Sequence, residues 1–502
     1  MRLAFLDTTF GDYTPQTMQA APLGGVQSAA CYLAVALARM GVDVTLVNGT
    51  TAPGMVDGVM CRHHGTMPVS LLARFDVLVI MGGCDTDSVR NLHAARDGRC
   101  RIVLWTQHAG DQPAIANLAD PDTARLWDAF IFVSRWQRED YIRRFRLPRH
   151  RCHVMRNAPA PCFAGLFAAG ERISAAKPWP PVLAYTSTPF RGLDVLLASM
   201  PLIRAAIPGT RLKVFSSLEP YQVPLERDPY AALYEQCRAT EGVEYGGSLS
   251  QPSLAAALRD VTALAYPNRY AETSCISVME AMAAGCLVVS SQLGALPETA
   301  AGFARLIPVP PDPAQHAARF ADAMVAELRR HHEQPEETER RLLAQMHHAD
   351  AAQGWTRQAQ RWLSLLSDNA SWQPPVQEIG ELLQLLRRAM ALGDHDAMAD
   401  LCQRILSLDP THAGVWRILA QVQSALAQHA RALLSLGRAS RLEPVNPAEW
   451  QGGIQILLAG VVAGMDGTPL ALRIAALRGV RPLLSGDAVW AQQLTIAARH
   501  LA

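Results

Sequence analysis

Tyr266-Pro-Asn-Arg-Tyr-Ala-Glu272-Thr-Ser-Cys-Ile-Ser-Val-Met-Glu280-Ala-Met-Ala-Ala-Gly285 is the stretch on which the reading of this chain turns. A strand ends near Tyr266, a polar loop follows, and an apolar helical pattern opens near Thr273 or Ser274. Gly285 stops that helix and Leu287–Ser290 returns to a sheet. A helix that starts above a sheet edge points unpaired N–H groups at whatever lies there, which suits an anionic phosphate. On helical geometry Glu272 and Glu280 stand roughly 12 Å apart along the axis and about 80° around it. Two carboxylates so placed would grip two hydroxyl-bearing rings joined by a diphosphate.

Outward from this segment, short apolar runs alternate with helical patterns. Arg2–Asp7, Asp43–Val47, Asp76–Met81, Arg101–Thr106, Ala129–Ser134 and His153–Arg156 read as one set of strands, with a clear helix over Gln27–Met40. Val182–Ser187, Leu212–Ser216, Val243–Tyr245, Ala263–Tyr266, Leu287–Ser290 and Arg305–Ile307 read as a second set. Strand-helix alternation with apolar runs means parallel sheets wrapped by helices. Asn157–Phe163 and Lys177–Pro181 are proline-rich and suit a linker. The expected architecture is α/β, with two Rossmann-like domains facing a cleft over residues 1–165 and 166–370. Ligands of such sheets bind at the carboxyl ends of the strands.

After about residue 310 the strands stop. Helical patterns run to about Leu366, and Ser371-Trp-Gln-Pro-Pro375 breaks them. Arg404–Trp416 then aligns with Arg438–Trp450 at a shift of 34, matching Pro410 with Pro444 and Trp416 with Trp450. That is the tetratricopeptide period, and Trp416, Leu419, Ala420, Ala432, Leu436 and Ala439 fall at its offsets. A weaker copy begins near Ile379, with Leu382 and Leu385 in register, and a third fades from Ala448. Residues 376–502 are therefore expected to be an all-α helical-repeat domain, able to bind a protein partner or itself.

Composition narrows the function classes. The chain has 502 residues, 49% of them hydrophobic and 18% charged, which suits about three globular domains. Lys plus Arg number 46 against 45 Asp plus Glu, so no global field gathers nucleic acid. The first residues enter a strand without a signal-peptide pattern, and no apolar run is long enough to span a bilayer. The ten cysteines are scattered. Reduced thiols and a cytoplasmic location are expected. Arg143-Arg-Phe-Arg-Leu-Pro-Arg-His-Arg151 suggests peripheral contact with an anionic membrane surface or a phosphate-bearing acceptor.

The central stretch resembles the Glu-x7-Glu signature of retaining GT-B glycosyltransferases, especially glycosyltransferase family four. The likeness continues through Ala281-Met-Ala-Ala-Gly-Cys-Leu-Val-Val-Ser-Ser-Gln-Leu-Gly-Ala-Leu-Pro-Glu298. It implies a nucleoside diphosphate sugar as substrate, with Glu280 on the ribose diol and Glu272 on the donor sugar. The backbone of Thr273, Ser274, Cys275 and Ile276 would approach donor and phosphate. The family usually carries an Arg and then a Lys-Gly at the head of the second domain. Here Arg191-Gly192 stands at the Lys-Gly, and Thr186 or Ser187 replaces the earlier Arg, leaving neutral donors where a cation is usual. Gly24 and Gly25 match the family's Gly-Gly near the diphosphate, and permit close backbone approach or φ > 0. His108, after the strand Arg101–Thr106, matches a His that faces the donor sugar, with Asp111 near enough to orient it.

The resemblance implies no cofactor and no essential metal. Asp85-Thr-Asp87 has the Asp-x-Asp form of a different glycosyltransferase fold, but that form recurs at Asp120/Asp122 and Asp394/Asp396. Cys61-Arg-His-His64 and His347-His348 lack partners at metal-ligand spacing. The acceptor would be a glycan, a lipid-linked sugar or a protein. Two other readings stand beside this one: a degenerate transferase-like scaffold whose helical repeats bind proteins, and a phosphorylase on the same fold.

Overall fold

The computed structural model describes residues 1–96, 100–168, 170–368 and 376–442. Strands β1 (Arg2–Leu6), β2 (Asp43–Asn48), β3 (Gly54–Val56), β4 (Val59–His63), β5 (Val77–Met81), β6 (Arg101–Thr106), β7 (Ala129–Phe132) and β8 (Cys152–Val154) form the first sheet. Their order is β3-β4-β2-β1-β5-β6-β7-β8, parallel throughout except for β3 against β4. Strands β9 (Val182–Tyr185), β10 (Arg211–Val214), β11 (Val243–Tyr245), β12 (Ala263–Tyr266), β13 (Leu287–Ser291) and β14 (Arg305–Ile307) form the second, in the order β11-β10-β9-β12-β13-β14. All five pairings of this second sheet are parallel. Central strands such as Val77–Met81 and Ala263–Tyr266 are buried along their whole length. Helices on both faces require this, which is why these strands read as unbroken apolar runs.

The hairpin β3–β4 has no counterpart in the strand runs read from sequence. Its turn is Asp57-Gly58, with φ of 49° and 83°, the residue pair that a two-residue hairpin turn prefers. That local signal was present, but the flanking runs, Gly-Met-Val and Val-Met-Cys-Arg-His, are too short to stand out.

In each sheet the chain leaves a central strand in one direction and later returns to its other side. In the second sheet the reversal falls between β9 and β12. The segments leaving these strands, Thr186–Arg191 and Pro267–Cys275, diverge there and open a crevice.

The proline-rich stretches join the two domains and are anchored in the fold at several points, although Pro161, Trp179 and Pro180 are exposed. Asn157, Ala158, Ala160, Phe163 and Ile173 are all buried. Lys177 is buried as well, and its ammonium donates to the carbonyls of Leu258 (3.4 Å), Arg259 (2.8 Å) and Ala284 (2.9 Å). It thereby closes the C-terminal ends of helices Gln251–Arg259 and Ile276–Ala283 at once. The chain returns to the first domain through helix Trp355–Ser367, where Trp362 packs on Trp105 and Phe5 at 5.1 and 6.0 Å between ring centroids. Residues 1–145 and 152–369 accordingly form one compact unit.

The second unit, described over residues 146–151 and 376–442, is helical. Helices Val376–Leu392, His395–Leu408, Ala413–Ala425 and His429–Leu442 follow one another through short turns. Trp416, Leu419, Ala420, Ala432, Leu436 and Ala439, picked out by the repeat, are all buried. Trp416 Nε1 donates to Pro410 O at 2.8 Å, coupling two positions of the pattern. Ile379 and Leu382 are buried, whereas Leu385 is exposed. Pro444, Trp450 and the third copy from Ala448 lie outside the described residues.

Replacing Lys177 by Met keeps the aliphatic stem and strands three buried carbonyls. We expect a loss of about 2–4 kcal/mol in denaturant unfolding, and an unchanged midpoint would refute the capping role.

Candidate active site

Above the β9/β12 switch point lies a cleft cavity of about 200 Å³, lined from both Rossmann domains. The first domain contributes Gly24, Gly25, Val26 and Gln107. The second contributes Thr186 to Thr188, Arg191, Gln251 and the run Glu272 to Ser277, with Glu280 behind it. Every residue of the predicted donor site except His108 lines this space.

Glu272 does not lie on the helix. That helix spans Ile276–Ala283 with Cys275 as N-cap, so it starts later than the apolar pattern suggested, and the separation computed for one continuous helix does not apply. Glu272 sits in the loop after β12, with only 3% of its surface exposed. Its Oε1 accepts from Arg191 Nη1 at 2.9 Å and from the Tyr266 hydroxyl at 2.6 Å. Burial, reinforced by the Glu272 charge, holds the Tyr266 phenol far above its ordinary pKa and keeps it a donor. Burial opposes the charge of Arg191, but Glu272, together with Tyr266, Tyr221 and Cys275, outweighs it and the guanidinium stays charged. The loop around Glu272 is pinned by its backbone, since Ala295 N donates to Glu272 O at 2.7 Å. Gly294, at φ 59°, makes this approach possible: a Cβ there would come within 2.5 Å of that same oxygen.

Gly24 and Gly25 serve close approach and not a left-handed turn. Gly24 has φ −57° and caps helix Gly25–Arg39, and neither glycine has positive φ. A Cβ on Gly24 would lie 3.4 Å from Pro220 O, and one on Gly25 would lie 3.2 Å from Ile276 Cδ1. Two helix N-termini, one from each domain, therefore meet across the cavity. Their first amides have no acceptor within their own helices, and both ends favour negative charge.

Further contacts lock the two domains around this point. Thr273 Oγ1 donates to Gln107 O at 2.7 Å, and within the second domain Ser277 Oγ donates to Thr186 O at 2.7 Å. Glu298, the last residue of the motif, accepts from the backbone N–H of Arg135 and of Trp136 at 2.9 and 3.1 Å, and pairs with Arg156. It thus caps first-domain helix Arg135–Phe145 from the second domain. Ser187 Oγ stands 3.4 Å from the Tyr266 hydroxyl.

The lining is rich in buried polar atoms that have no protein partner: Gln107 Nε2, Thr186 Oγ1, Thr188 Oγ1, Arg191 Nε, Gln251 Oε1, Ser274 Oγ and Glu280 Oε1. Buried polar groups are normally satisfied, so this concentration marks a place for a polar ligand. Among the described residues of the lining, Arg191 is the one cation. Burial pushes the Glu280 carboxyl up to about 8, against a hydrogen bond with Gln251 that lowers it.

His108 stands beside the cavity and not in its lining. Its Nδ1 meets Gln112 Oε1, and Gln112 Nε2 donates to the Tyr270 hydroxyl. Gln112, and not Asp111, is thus its orienting partner. Sequence reading missed Gln112, Tyr270, Tyr266 and Gln251, because their hydrogen bonds depend on the folded path of loops and on partners such as Tyr270 for Gln112, 158 residues apart.

The other candidate motifs have structural partners. Asp85 caps helix Thr86–Ala95 by accepting from Ser88 N, and Asp87 pairs with Arg90 at the surface. Arg143 and Arg144 both pair with Asp140 on one helix. Among the described residues no group of three or more His, Cys, Asp or Glu is placed to hold a metal ion, and no helix is long and apolar enough to cross a membrane.

Comparison with known proteins places this geometry. Residues 180–329 match the family model described as "Glycosyl transferases group 1", so the second Rossmann domain is a glycosyltransferase domain. No curated protein matches the chain. Among solved structures, sucrose-phosphate synthase from Thermosynechococcus elongatus is 18% identical with a TM-score of 0.52, covering 73% of this chain and 98% of its own. A glycosyltransferase from Rickettsia africae is 10% identical with a TM-score of 0.56, covering 73% and 97%. HepE from Anabaena, in complex with UDP, is 13% identical with a TM-score of 0.50, covering 73% and 100%. These likenesses establish the GT-B fold for the two Rossmann domains.

Glu280 gives a stability test of the site. Its folded pKa of about 8 lies above the ordinary carboxyl value. The stability it contributes is therefore complete below the unfolded pKa and is lost as pH rises through about 8. Glu280→Gln should match the wild type near pH 4.5 and exceed it by about 3–5 kcal/mol at pH 8.5 in urea unfolding. A difference that does not change with pH would refute the burial account.

Proposed function

We propose that this glycosyltransferase moves a glycosyl group from a nucleoside diphosphate sugar to an acceptor hydroxyl, with retention at the anomeric carbon and without a metal ion. The observation that carries the reading is the cleft cavity in which two helix N-termini, Arg191 and the buried Glu280 converge. HepE, which shares the fold, binds UDP, and this supports a nucleotide-linked donor here.

In this reading the ribose diol lies against Glu280, and the diphosphate between the Gly24–Gly25 turn and the amides around Cys275 and Ile276. Arg191 supplies the cationic part of leaving-group stabilisation through bidentate contact. Thr186, Ser187 and Thr188 add neutral donors where the related enzymes carry a second cation. Charge builds on the leaving phosphate as the glycosidic bond breaks, so preorganised dipoles there act on the transition state. Glu272 and His108 orient the sugar, and the acceptor attacks from the face the leaving group departs.

The buried repeat positions of the helical tail support a tetratricopeptide-like arrangement. Such a tail would recruit a protein acceptor, a partner or a second copy of the chain. The acceptor itself is a glycan, a lipid-linked sugar or a protein, and the Arg143–Arg151 run would favour one held at an anionic surface.

Donor hydrolysis across UDP-, GDP-, ADP- and dTDP-glucose tests the assignment directly. Arg191→Ala and Glu272→Ala should each lower turnover at least ~100-fold, on the scale of losing an oxyanion-type donor. Near-normal transfer by either variant would sink the site. A wild-type chain that binds none of these nucleotides would turn the reading to a scaffold.

A further inference from the structure

Tyr270 stands where the two halves of the site meet, outside the motif that marks the donor pocket. Its ring packs on the Arg191 guanidinium, 5.1 Å from centroid to Cζ, and Phe190 lies 5.5 Å from the same group. The two rings meet edge to face at 6.3 Å. An aromatic bracket of this kind holds a guanidinium in one plane while leaving its N–H edge free to bond.

The hydroxyl of Tyr270 has a second role. It accepts from Gln112 Nε2, and Gln112 Oε1 faces His108 Nδ1. Gln112 belongs to the first domain and Tyr270 to the second, so one carboxamide joins the two domains beside the cavity. The backbone of Tyr270 is held in turn by Asn268, whose Oδ1 accepts from Tyr270 N at 2.8 Å and whose Nδ2 donates to Tyr270 O. Asn268 is fully buried. The components follow one another: Asn268 holds the Tyr270 backbone, the Tyr270 hydroxyl accepts from Gln112 Nε2, and Gln112 thereby presents Oε1 to His108. With the carboxamide oxygen toward the imidazole, a hydrogen bond between them needs the proton on Nδ1, which in a neutral ring leaves Nε2 as the acceptor. That acceptor edge lies beside Gly82, where an added Cβ would come within 3.3 Å of Nε2.

We propose that Tyr270 and Gln112 are positioning residues for the transfer reaction. The ring of Tyr270 holds Arg191 in place for the leaving diphosphate. Its hydroxyl, acting through Gln112, holds His108 as the Nδ1–H tautomer and makes that state depend on the two domains being together. This rests on the transferase reading above, but it makes a claim about the free protein that can be measured apart from activity.

The test uses the full chain labelled with 15N-histidine, with His108→Gln identifying the His108 ring signals. Wild type should show His108 as the Nδ1–H tautomer, and Tyr270→Phe or Gln112→Leu should convert it to a mixture of tautomers. Kinetics use whichever of UDP-, GDP-, ADP- or dTDP-glucose the wild type hydrolyses fastest. Tyr270→Phe keeps the ring over Arg191 and should leave the donor KM within about 2-fold while lowering kcat about 10-fold, the scale of a small misplacement of a reacting group. Tyr270→Leu removes the ring as well and should also raise the donor KM about 10-fold. A merely structural tyrosine would move the melting temperature without changing the tautomer or separating kcat from KM. Wild-type His108 found as the Nε2–H tautomer, or Tyr270→Phe with wild-type kcat and tautomer, would overturn the proposal. Absence of hydrolysis by the wild type would count against the transferase reading instead, with the tautomer spectra still deciding the relay.

Discussion

The Glu272 carboxylate is the group on which the rest of the site depends. A carboxylate with 3% exposure must be paired and hydrogen-bonded, or it would lose its charge or open the fold. Arg191 and Tyr266 supply those partners, Arg191 from the turn that follows β9 and Tyr266 from the end of β12, the two strands that flank the topological switch. Satisfying one buried charge therefore draws together the two segments that diverge at the sheet edge. The backbone on either side is fixed by Ala295 and by the missing Cβ of Gly294. A crevice dictated by connectivity becomes a site with one geometry.

The same economy governs the boundary between domains. Glu298 of the second domain caps a helix of the first, Thr273 reaches the Gln107 carbonyl, and Gly25 lies against Ile276. The first two contacts use backbone groups near a helix or strand end, and the third depends on the missing side chain of Gly25. Two opposed helix N-termini also direct partial positive charge into the cleft cavity. They are fixed dipoles, so they need no side-chain ordering when negative charge develops.

How much of this was legible follows from which interactions are local. The strands could be read because sheets buried on both faces demand apolar runs, and most of them begin and end within a residue or two of the expected positions. The hairpin Gly54–His63 escaped because its strands are short, with three residues at the sheet edge and five beside them. The start of the helix after β12 was misplaced because Thr273 and Ser274 have the composition of a helix cap, while the Thr273 hydroxyl bonds instead to the Gln107 carbonyl and the preceding Glu272 backbone is held by Ala295. The proline-rich stretches resembled linkers, yet Lys177 is buried there to meet three carbonyls that come from other parts of the chain.

Sequence by itself determined the parallel strands of the two sheets, their alternation with helices, and the identity of the residues that gather above the second sheet. Periodicity, turn chemistry and a thirty-residue motif are properties of neighbours along the chain, and they survive without a fold. Tertiary structure alone decided what those residues do to one another. It took Glu272 off the helix and paired it with Arg191, turned Gly24 and Gly25 into points of close approach, and joined His108 to Tyr270 through Gln112. The burial that shifts Glu280 and the convergence of two helix ends are sums over groups far apart in sequence, so they exist only once both domains have closed around the cleft.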